Sequence, residues 1–245
     1  MTDSKRTLLG VPGLDDMFAG GLLTGSVTLI QGAPGTGKTT IGTQFLHHGA
    51  TKAEEAGLLV TFEQFPHTLY RDALGHGWNL RELEQEGKLR VIFTSPQVFL
   101  SSLQSPISPI SSAMRDMAVK RIVIDSVSHF RMLTRNPVEL RAYHNHLING
   151  LRREGITSLL VSEDSGPDFV RGDQGRLAFI VDSVILLRYV EIDSVMQRAI
   201  AVLKTRGTDH DKAIRRFEIK RDGIAVGDAF QGREGLLTGV PRRTA

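Results

Sequence analysis

The chain has 245 residues, of which 40% are hydrophobic and 23% charged, values typical of a globular protein with one buried core. The net charge of +3 is too small to indicate nucleic-acid binding by itself, and the lack of cysteine excludes disulfides, thiol nucleophiles and cysteine-bearing zinc sites. No apolar run approaches the roughly 20 residues of a membrane helix, and no signal peptide is recognisable, so we expect a cytoplasmic protein without membrane contact.

Short apolar runs rich in β-forming residues alternate with longer helical patterns in the first two thirds of the chain. This alternation is typical of an α/β fold with a mostly parallel central sheet flanked by helices. The predicted strands cover residues 27–31, 58–62, 89–93, 121–125 and 157–161. Four helices are predicted. Two begin at Lys38 and at Pro66, and the other two cover residues 111–118 and 137–153.

The pattern changes in the last third, where strand-like runs at residues 184–192 and 196–204 are separated by only three residues. This spacing predicts an antiparallel hairpin, and short strands are expected to follow at residues 216–219 and 223–226. Residues 95–108 and 163–176, rich in Ser, Pro or Gly, are predicted to be mobile loops. We expect one domain over residues 1–245, with a core of about 8–226 and a flexible tail, 227–245.

A phosphate-binding motif follows the first predicted strand. It matches G-x-x-x-x-G-K-[ST] at all positions, namely Gly32, Ala33, Pro34, Gly35, Thr36, Gly37, Lys38 and Thr39. Small residues let backbone N–H groups surround a β-phosphate at the positive end of the next helix. We predict ATP binding here, with Lys38 bridging the β- and γ-phosphates, Thr39 offering its hydroxyl to Mg²⁺, and Thr40 completing the contacts.

Two carboxylates end other predicted strands. Asp125 follows the run 121–124, where an acid of the Walker-B type would hold Mg²⁺; alone it would equally suit a cap, and the phosphate-binding motif favours the metal role. Glu63 ends the second strand. Its type fits two roles equally well: orienting the attacking water, or forming the acidic N-terminus of the helix that begins at Pro66.

The chain resembles the KaiC family of RecA-like P-loop ATPases. The resemblance begins at residues 10–15 (G-V-P-G-L-D), includes the phosphate-binding motif, Phe62-Glu63 and residues 123–126 (V-I-D-S), and runs to about residue 226. The stretch from Tyr189 to Arg215 is most similar to the second of the two tandem domains of clock KaiC. The resemblance therefore implies a single-domain KaiC-like ATPase.

The resemblance also implies a hexameric or similar ring with nucleotide held between neighbouring subunits. Lys204 and Arg206 would then project onto the γ-phosphate bound by the next subunit, and Thr208 and His210 would contact the same nucleotide. An arginine supplied in trans is worth 10³–10⁵ in rate. From spacing alone, Lys204 and Arg206 indicate only the solvated face of an edge strand.

Two positions depart from the family pattern. Many members carry two successive acids at the end of the second strand, whereas this chain has Glu63-Gln64. The Ser–Thr pair that clock KaiC phosphorylates is replaced by Ala178 and Phe179, which have no hydroxyl. We expect the first difference to affect the rate of hydrolysis and the second to prevent self-phosphorylation at this place.

We therefore expect a Mg–ATP-hydrolysing ring that reports its nucleotide state to a regulatory protein partner. A serine/threonine kinase or phosphotransferase, with Glu63 accepting a hydroxyl proton, is one alternative. A RecA-like DNA-binding ATPase is the other, with residues 163–176 contacting DNA. That loop has one aromatic residue and more acids than arginines, which disfavours nucleic acid as a partner.

Overall fold

The computed structural model describes residues 5–105, 107–163, 173–238 and 242–243. In chain order the strands are β1 (Arg6–Thr7), β2 (Leu22–Leu23), β3 (Val27–Gly32), β4 (Gly57–Thr61), β5 (Leu89–Phe93), β6 (Arg121–Asp125), β7 (Thr157–Glu163), β8 (Ser183–Ile192), β9 (Val195–Thr205), β10 (Arg215–Lys220), β11 (Gly223–Ala229), β12 (Arg233–Glu234) and β13 (Arg242–Arg243). The α-helices are α1 (Leu14–Met17), α2 (Lys38–His48), α3 (Pro66–Gly75), α4 (Leu80–Gln85), α5 (Pro96–Gln104), α6 (Pro109–Asp116), α7 (Pro137–Arg153) and α8 (Asp173–Ile180).

A nine-stranded sheet with the order β11-β10-β9-β8-β3-β7-β6-β4-β5 forms the centre of the fold. The six strands from β8 to β5 pair in parallel, and β8, β9, β10 and β11 pair antiparallel. Every residue of β3 and of β4 is buried, as expected for parallel strands covered on both faces. The predicted α/β fold, with a mostly parallel sheet and a C-terminal antiparallel hairpin, is confirmed.

Two apolar layers cover the faces of this sheet. One contains the N-terminal segment and α2–α4, and the other contains α5, α6 and α7. None of the described helices combines the length and the apolar character that are needed to cross a membrane.

Helix α2 lies directly on β6 because Gly42 has no side chain. A Cβ there would lie 2.8 Å from a Val123 methyl group, too close for any larger residue without movement. The buried Arg121 fixes the other end of this helix. It donates to the carbonyl of Phe45 at 3.0 Å and forms an ion pair with Glu55 at 2.7 Å. These contacts place the start of α2 next to the end of β6.

The hairpin turn is tighter than its sequence spacing suggests. Asp193 and Ser194 alone form it, with φ of 52° and 62°, and Ile192 pairs with Val195. Two positive φ values are typical of a type I′ turn, whose twist matches that of the flanking strands.

The prediction that residues 95–108 form a mobile loop is wrong, because α5 occupies most of them. The Ser95 hydroxyl accepts from the Val98 N–H, Pro96 takes the first helical position, and Phe99 is fully buried. Serine is favoured at the position before a helix and proline at the first helical position, so at Ser95-Pro96 this pair starts a helix. The same pair, Ser108-Pro109, starts the next helix two residues before the predicted position. Of the other predicted loop, residues 164–172 lie outside the described residues.

The described part of the tail packs on the hairpin. Leu236 is buried with Val190 and Ile192, and Arg233 forms an ion pair with Asp193 at 2.8 Å. Packing thus continues beyond the expected core boundary at residue 226, and the single-domain organisation stays a prediction.

His144 on α7 makes the stability of the fold sensitive to acid. Burial lowers its pKa from 6.5 to about 4, and its ring stacks on Phe130 at 5.6 Å. The folded state therefore binds this proton less readily than the unfolded chain. The stabilisation is fully present above about pH 6.5 and is lost as pH falls towards 4, by roughly 3 kcal/mol.

We expect the free energy of unfolding, measured by urea titration, to fall between pH 7 and pH 5 less steeply in His144→Leu than in the parent chain. The partly buried His47 and His48, whose pKa values desolvation also lowers, contribute equally to both proteins. Equal slopes in the two proteins would contradict this role of His144.

Candidate nucleotide-binding site

Parallel pairing brings the C-terminal ends of several strands to one edge of the sheet. Gly32 of β3 pairs with Glu163 of β7, and Thr61 of β4 pairs with Asp125 of β6. The phosphate-binding motif, Asp125 and Glu63 therefore lie at the same edge. Ligand sites of open α/β sheets form at this kind of edge.

The loop between β3 and α2 has the conformation that the motif requires. Gly35 and Gly37 adopt φ of 76° and 103°, which glycine reaches without strain. The Thr36 hydroxyl donates to the carbonyl of Ala33 at 2.8 Å and holds the turn. A Cβ on Gly37 would lie 3.0 Å from the side chains of Ile219 in β10 and Ile224 in β11. The two outermost antiparallel strands therefore pack closely against the loop.

Lys38 lies inside this loop with 7% of its surface exposed. Its Nζ donates to the carbonyl oxygens of Gly32 and Ala33, each at 2.9 Å. Burial lowers the pKa of the ammonium, and the carboxylates of Glu163 and Asp125 oppose this shift. The two acceptors are neutral, and anionic oxygens form stronger hydrogen bonds with an ammonium group. The position therefore suits phosphate binding.

Thr39 and Asp125 form a pair of oxygen ligands. The Thr39 hydroxyl donates to Oδ2 of Asp125 at 2.6 Å, although the two residues are far apart in sequence. Burial raises the pKa of Asp125, and the Thr39 hydrogen bond and the Lys38 charge oppose this shift. Mg²⁺ is usually held by one or two protein oxygens together with substrate phosphates and water, so this pair fits it.

Glu63 extends from the end of β4 with 69% of its side chain exposed. Its Oε2 lies 3.4 Å from Nε2 of His129, whose Nδ1 lies 3.2 Å from the Ser126 hydroxyl. His129 therefore links Glu63 to the residue after Asp125. Sequence reasoning missed His129, because no motif marks a histidine in the turn after a strand.

A cavity of about 120 Å³ opens beside the start of α2. Thr39, Thr40, Gln64 and Trp78 are among the residues that line it. The structure thus places Thr40 beside the phosphate-binding loop. Gln64, which stands where many family members have a second acid, faces the same space.

Two further residues at the loop were not identified from the sequence. Tyr189 of β8 donates its hydroxyl to the carbonyl of Gly35 at 2.6 Å. Its position depends on the parallel pairing of β8 with β3, which no local signal predicts. Glu163 ends β7 as Asp125 ends β6, and the same end-of-strand argument would have found it.

Lys204 and Arg206 are not brought to the phosphate-binding loop of their own chain. Lys204 pairs with Val184, which pairs with Leu29 near the start of β3, so these cations lie towards the opposite edge of the sheet. Lys204 Nζ donates to the carbonyls of Ala178 and Val181 at 2.8 and 2.7 Å, and Arg206 Nη2 to that of Phe179 at 2.6 Å. Both cations therefore bind the C-terminal end of α8, where the helix dipole is negative.

Thr208 and His210 follow in the same segment. The Thr208 hydroxyl accepts from Arg6 Nη2 at 2.7 Å, which ties this segment to the N-terminal strand. His210 is partly exposed. Neither residue contacts the phosphate-binding loop of the same chain in the described structure.

The fold and the loop geometry define a RecA-like P-loop nucleotide-binding protein. A family model for the KaiC ATPase matches residues 7–230. This match covers most of the chain, which therefore belongs to the KaiC ATPase family.

Individual relatives agree with this assignment. The chain is 32% identical over 250 residues to the circadian clock protein KaiC3 of Synechocystis sp., covering 98% of this chain and 47% of that protein. It is 34% identical over 245 residues to the clock oscillator protein KaiC of Thermostichus vulcanus, covering 99% and 46%. The chain thus spans about half the length of these curated relatives, and its similarity to the second KaiC domain in particular stays a prediction.

A solved structure is similar over nearly the whole fold. The crystal structure of a KaiC-like protein from the archaeon Pyrococcus horikoshii OT3 matches with a TM-score of 0.82 and 30% identity, covering 92% of this chain and 100% of that one.

Tyr189 provides a test of the loop geometry. Tyr189→Phe removes one hydrogen bond to Gly35 and retains the ring beneath Arg198. We expect the affinity for a fluorescent adenine nucleotide to fall about two- to tenfold, the value of one neutral hydrogen bond. Lys38→Ala, which removes an ammonium, should weaken binding by a larger factor. Unchanged affinity in Tyr189→Phe would show that the loop needs no support from β8.

Proposed function

We propose that this chain binds ATP with Mg²⁺ and hydrolyses it in a hexameric or similar ring of identical subunits, whose assembly or shape reports the nucleotide state to a regulatory protein partner. The observation that carries the proposal is the cluster of Lys38, Thr39, Asp125 and Glu63 at one sheet edge. These residues supply phosphate, metal and water contacts within one site.

Each residue has a separate part in the proposed hydrolysis. Lys38 leaves its two carbonyl acceptors for the β- and γ-phosphates, and Thr39 and Asp125 would hold Mg²⁺. The ion, when bound, neutralises charge that develops on the transferred phosphoryl group. Glu63 orients or deprotonates the water, and the nearby His129 fixes the direction of its carboxylate.

The ring completes the site with cations from a neighbour. Lys204 and Arg206 lie two strands from β3 and about 10 Å back along the sheet from Gly32, too far to serve their own chain's nucleotide. A second copy would bring them to the γ-phosphate, where an arginine stabilises the transition state. Two different faces of one chain would then meet, and such a head-to-tail contact forms a ring when the rotation between subunits closes.

The two alternatives receive less support. Transfer to a hydroxyl at the position of the family's phosphorylated pair would need a side chain that Ala178 and Phe179 do not have. Transfer to another protein is distinguished from hydrolysis by radiolabel from γ-labelled ATP. The loop that would contact DNA lies largely outside the described residues, and ATPase activity that rises on adding DNA would favour that alternative.

The mass of the protein in solution tests the ring. We expect light scattering to detect about six subunits per particle when Mg²⁺ and a slowly hydrolysed ATP analogue are present, and fewer without them. Arg206→Ala should weaken this assembly, and Lys88→Ala, at an exposed position on another part of the fold, should not. A protein that binds the ATP analogue but stays monomeric in its presence would contradict the ring.

Mixing two inactive variants tests whether the site is shared. Glu63→Gln lacks the water-orienting group of its own site, and Arg206→Ala lacks the cation given to the neighbour. We expect each variant alone to hydrolyse ATP at least a hundredfold more slowly than the parent chain. An equal mixture should regain about a quarter of parent activity, because about one interface in four combines both intact residues. No recovery from mixed particles would overturn the proposal that Glu63 and Arg206 of different subunits share one site.

A further inference from the structure

An exposed phenyl ring lies beside the two cations on α8 and β9. Phe179 exposes 66% of its surface, although Leu177 and Val181 on either side of it are buried. Arg206 donates to the carbonyl of Phe179, and Lys204 to that of Ala178. These contacts fix the ring and the cations relative to one another. We call Phe179, Lys204 and Arg206 the phenyl–cation patch.

A second surface has phenyl rings beside a carboxylate. Phe65 and Phe93 expose 56% and 43% of their surfaces, and their ring centroids lie 4.6 Å apart. Glu63, two residues before Phe65, exposes 69% of its side chain. We call Glu63, Phe65 and Phe93 the phenyl–carboxylate patch.

The two patches are complementary but separated within one chain. In the sheet order, β9 and β4 are five strands apart, or about 24 Å at the usual strand spacing. They also lie at opposite ends of the parallel strands. The end of β9 is level with the start of β3, whereas the second patch follows the C-terminal end of β4. One molecule therefore cannot bring them together, whereas two copies in head-to-tail contact can.

We propose that Phe179 of one subunit packs on the Phe65–Phe93 pair of the next subunit and thereby positions Lys204 and Arg206 over the neighbour's phosphate site. The inference rests on the proposed ring and identifies the contact that sets its register. Offset and edge-to-face arrangements of phenyl rings favour specific relative orientations. The positive charges of one patch meet the exposed carboxylate of the other, which disfavours the reversed orientation. The phenyl ring at position 179 thus takes a packing role where the family pattern has a hydroxyl residue.

Cross-linking tests this contact without interference, because the chain has no native cysteine. We combine Phe179→Cys with Phe65→Cys and add a short bis-maleimide to protein held with Mg²⁺ and a slowly hydrolysed ATP analogue. We expect a ladder of covalent multimers, since each subunit carries one thiol on each side of the contact. Phe179→Cys alone, and Phe65→Cys combined with Ile107→Cys, a site that is 90% exposed, should give no ladder.

Light scattering on the same samples distinguishes a failure of the Phe179–Phe65 contact from a failure of the ring itself. Assembled particles that form no ladder would overturn the contact between Phe179 and Phe65 and leave the ring intact. A parent chain that binds nucleotide as a monomer would remove the ring and this contact together.

Serine variants test the contact independently of cross-linking. Phe179→Ser and Phe65→Ser should each raise the protein concentration needed for half-assembly about tenfold, the effect of losing one well-packed aromatic contact. Phe179→Leu should restore most of the assembly, and Ile107→Ser should change nothing. Assembly of Phe179→Ser at the parent concentration would contradict the inference, whatever the cross-linking result.

Discussion

The site depends on one constraint, which is that parallel strands end at the same edge of a sheet. In this fold β3, β4, β6 and β7 point the same way, so residues that follow each of them converge although as many as 131 positions, from Gly32 to Glu163, separate them in the chain. The hydrogen bond from Thr39 to Asp125 is the direct result of this convergence. The close approach of α2 to β6 at Gly42 shortens the remaining distance, because any larger side chain would separate the helix from the sheet.

A second constraint follows from the antiparallel half of the sheet. Strand β9 runs back from the edge that carries the phosphate-binding loop, so the residues at its end are directed away from that loop. Lys204 and Arg206 donate hydrogen bonds to backbone carbonyls at the C-terminal end of α8, which have no partner within the helix. The same two side chains thus hold the C-terminal end of α8 and, in the proposed ring, lie on the surface that meets the neighbouring subunit.

The differences from the family pattern concentrate around the proposed subunit contact. Gln64 lines the small cavity beside α2, where many family members have a second acid. Phe179, in the phenyl–cation patch, stands where the family pattern has a hydroxyl residue. Both differences leave the phosphate-binding loop and the proposed magnesium ligands, Thr39 and Asp125, intact.

The sequence by itself determined the fold class, the phosphate-binding loop and Asp125, because each has a local signal. Strand periodicity, a contiguous motif and an acid at the end of a buried strand are all visible within a few residues. The composition of residues 95–108 does not predict helix α5, because serine and proline are common in loops as well as at helix starts such as Ser95-Pro96. Only the tertiary structure decided that Tyr189 supports Gly35, that His129 faces Glu63, and that Lys204 and Arg206 lie away from their own loop. Each of these contacts depends on which strands are neighbours and in which direction they run, and that choice minimises exposed apolar surface over the whole chain rather than within any segment of it.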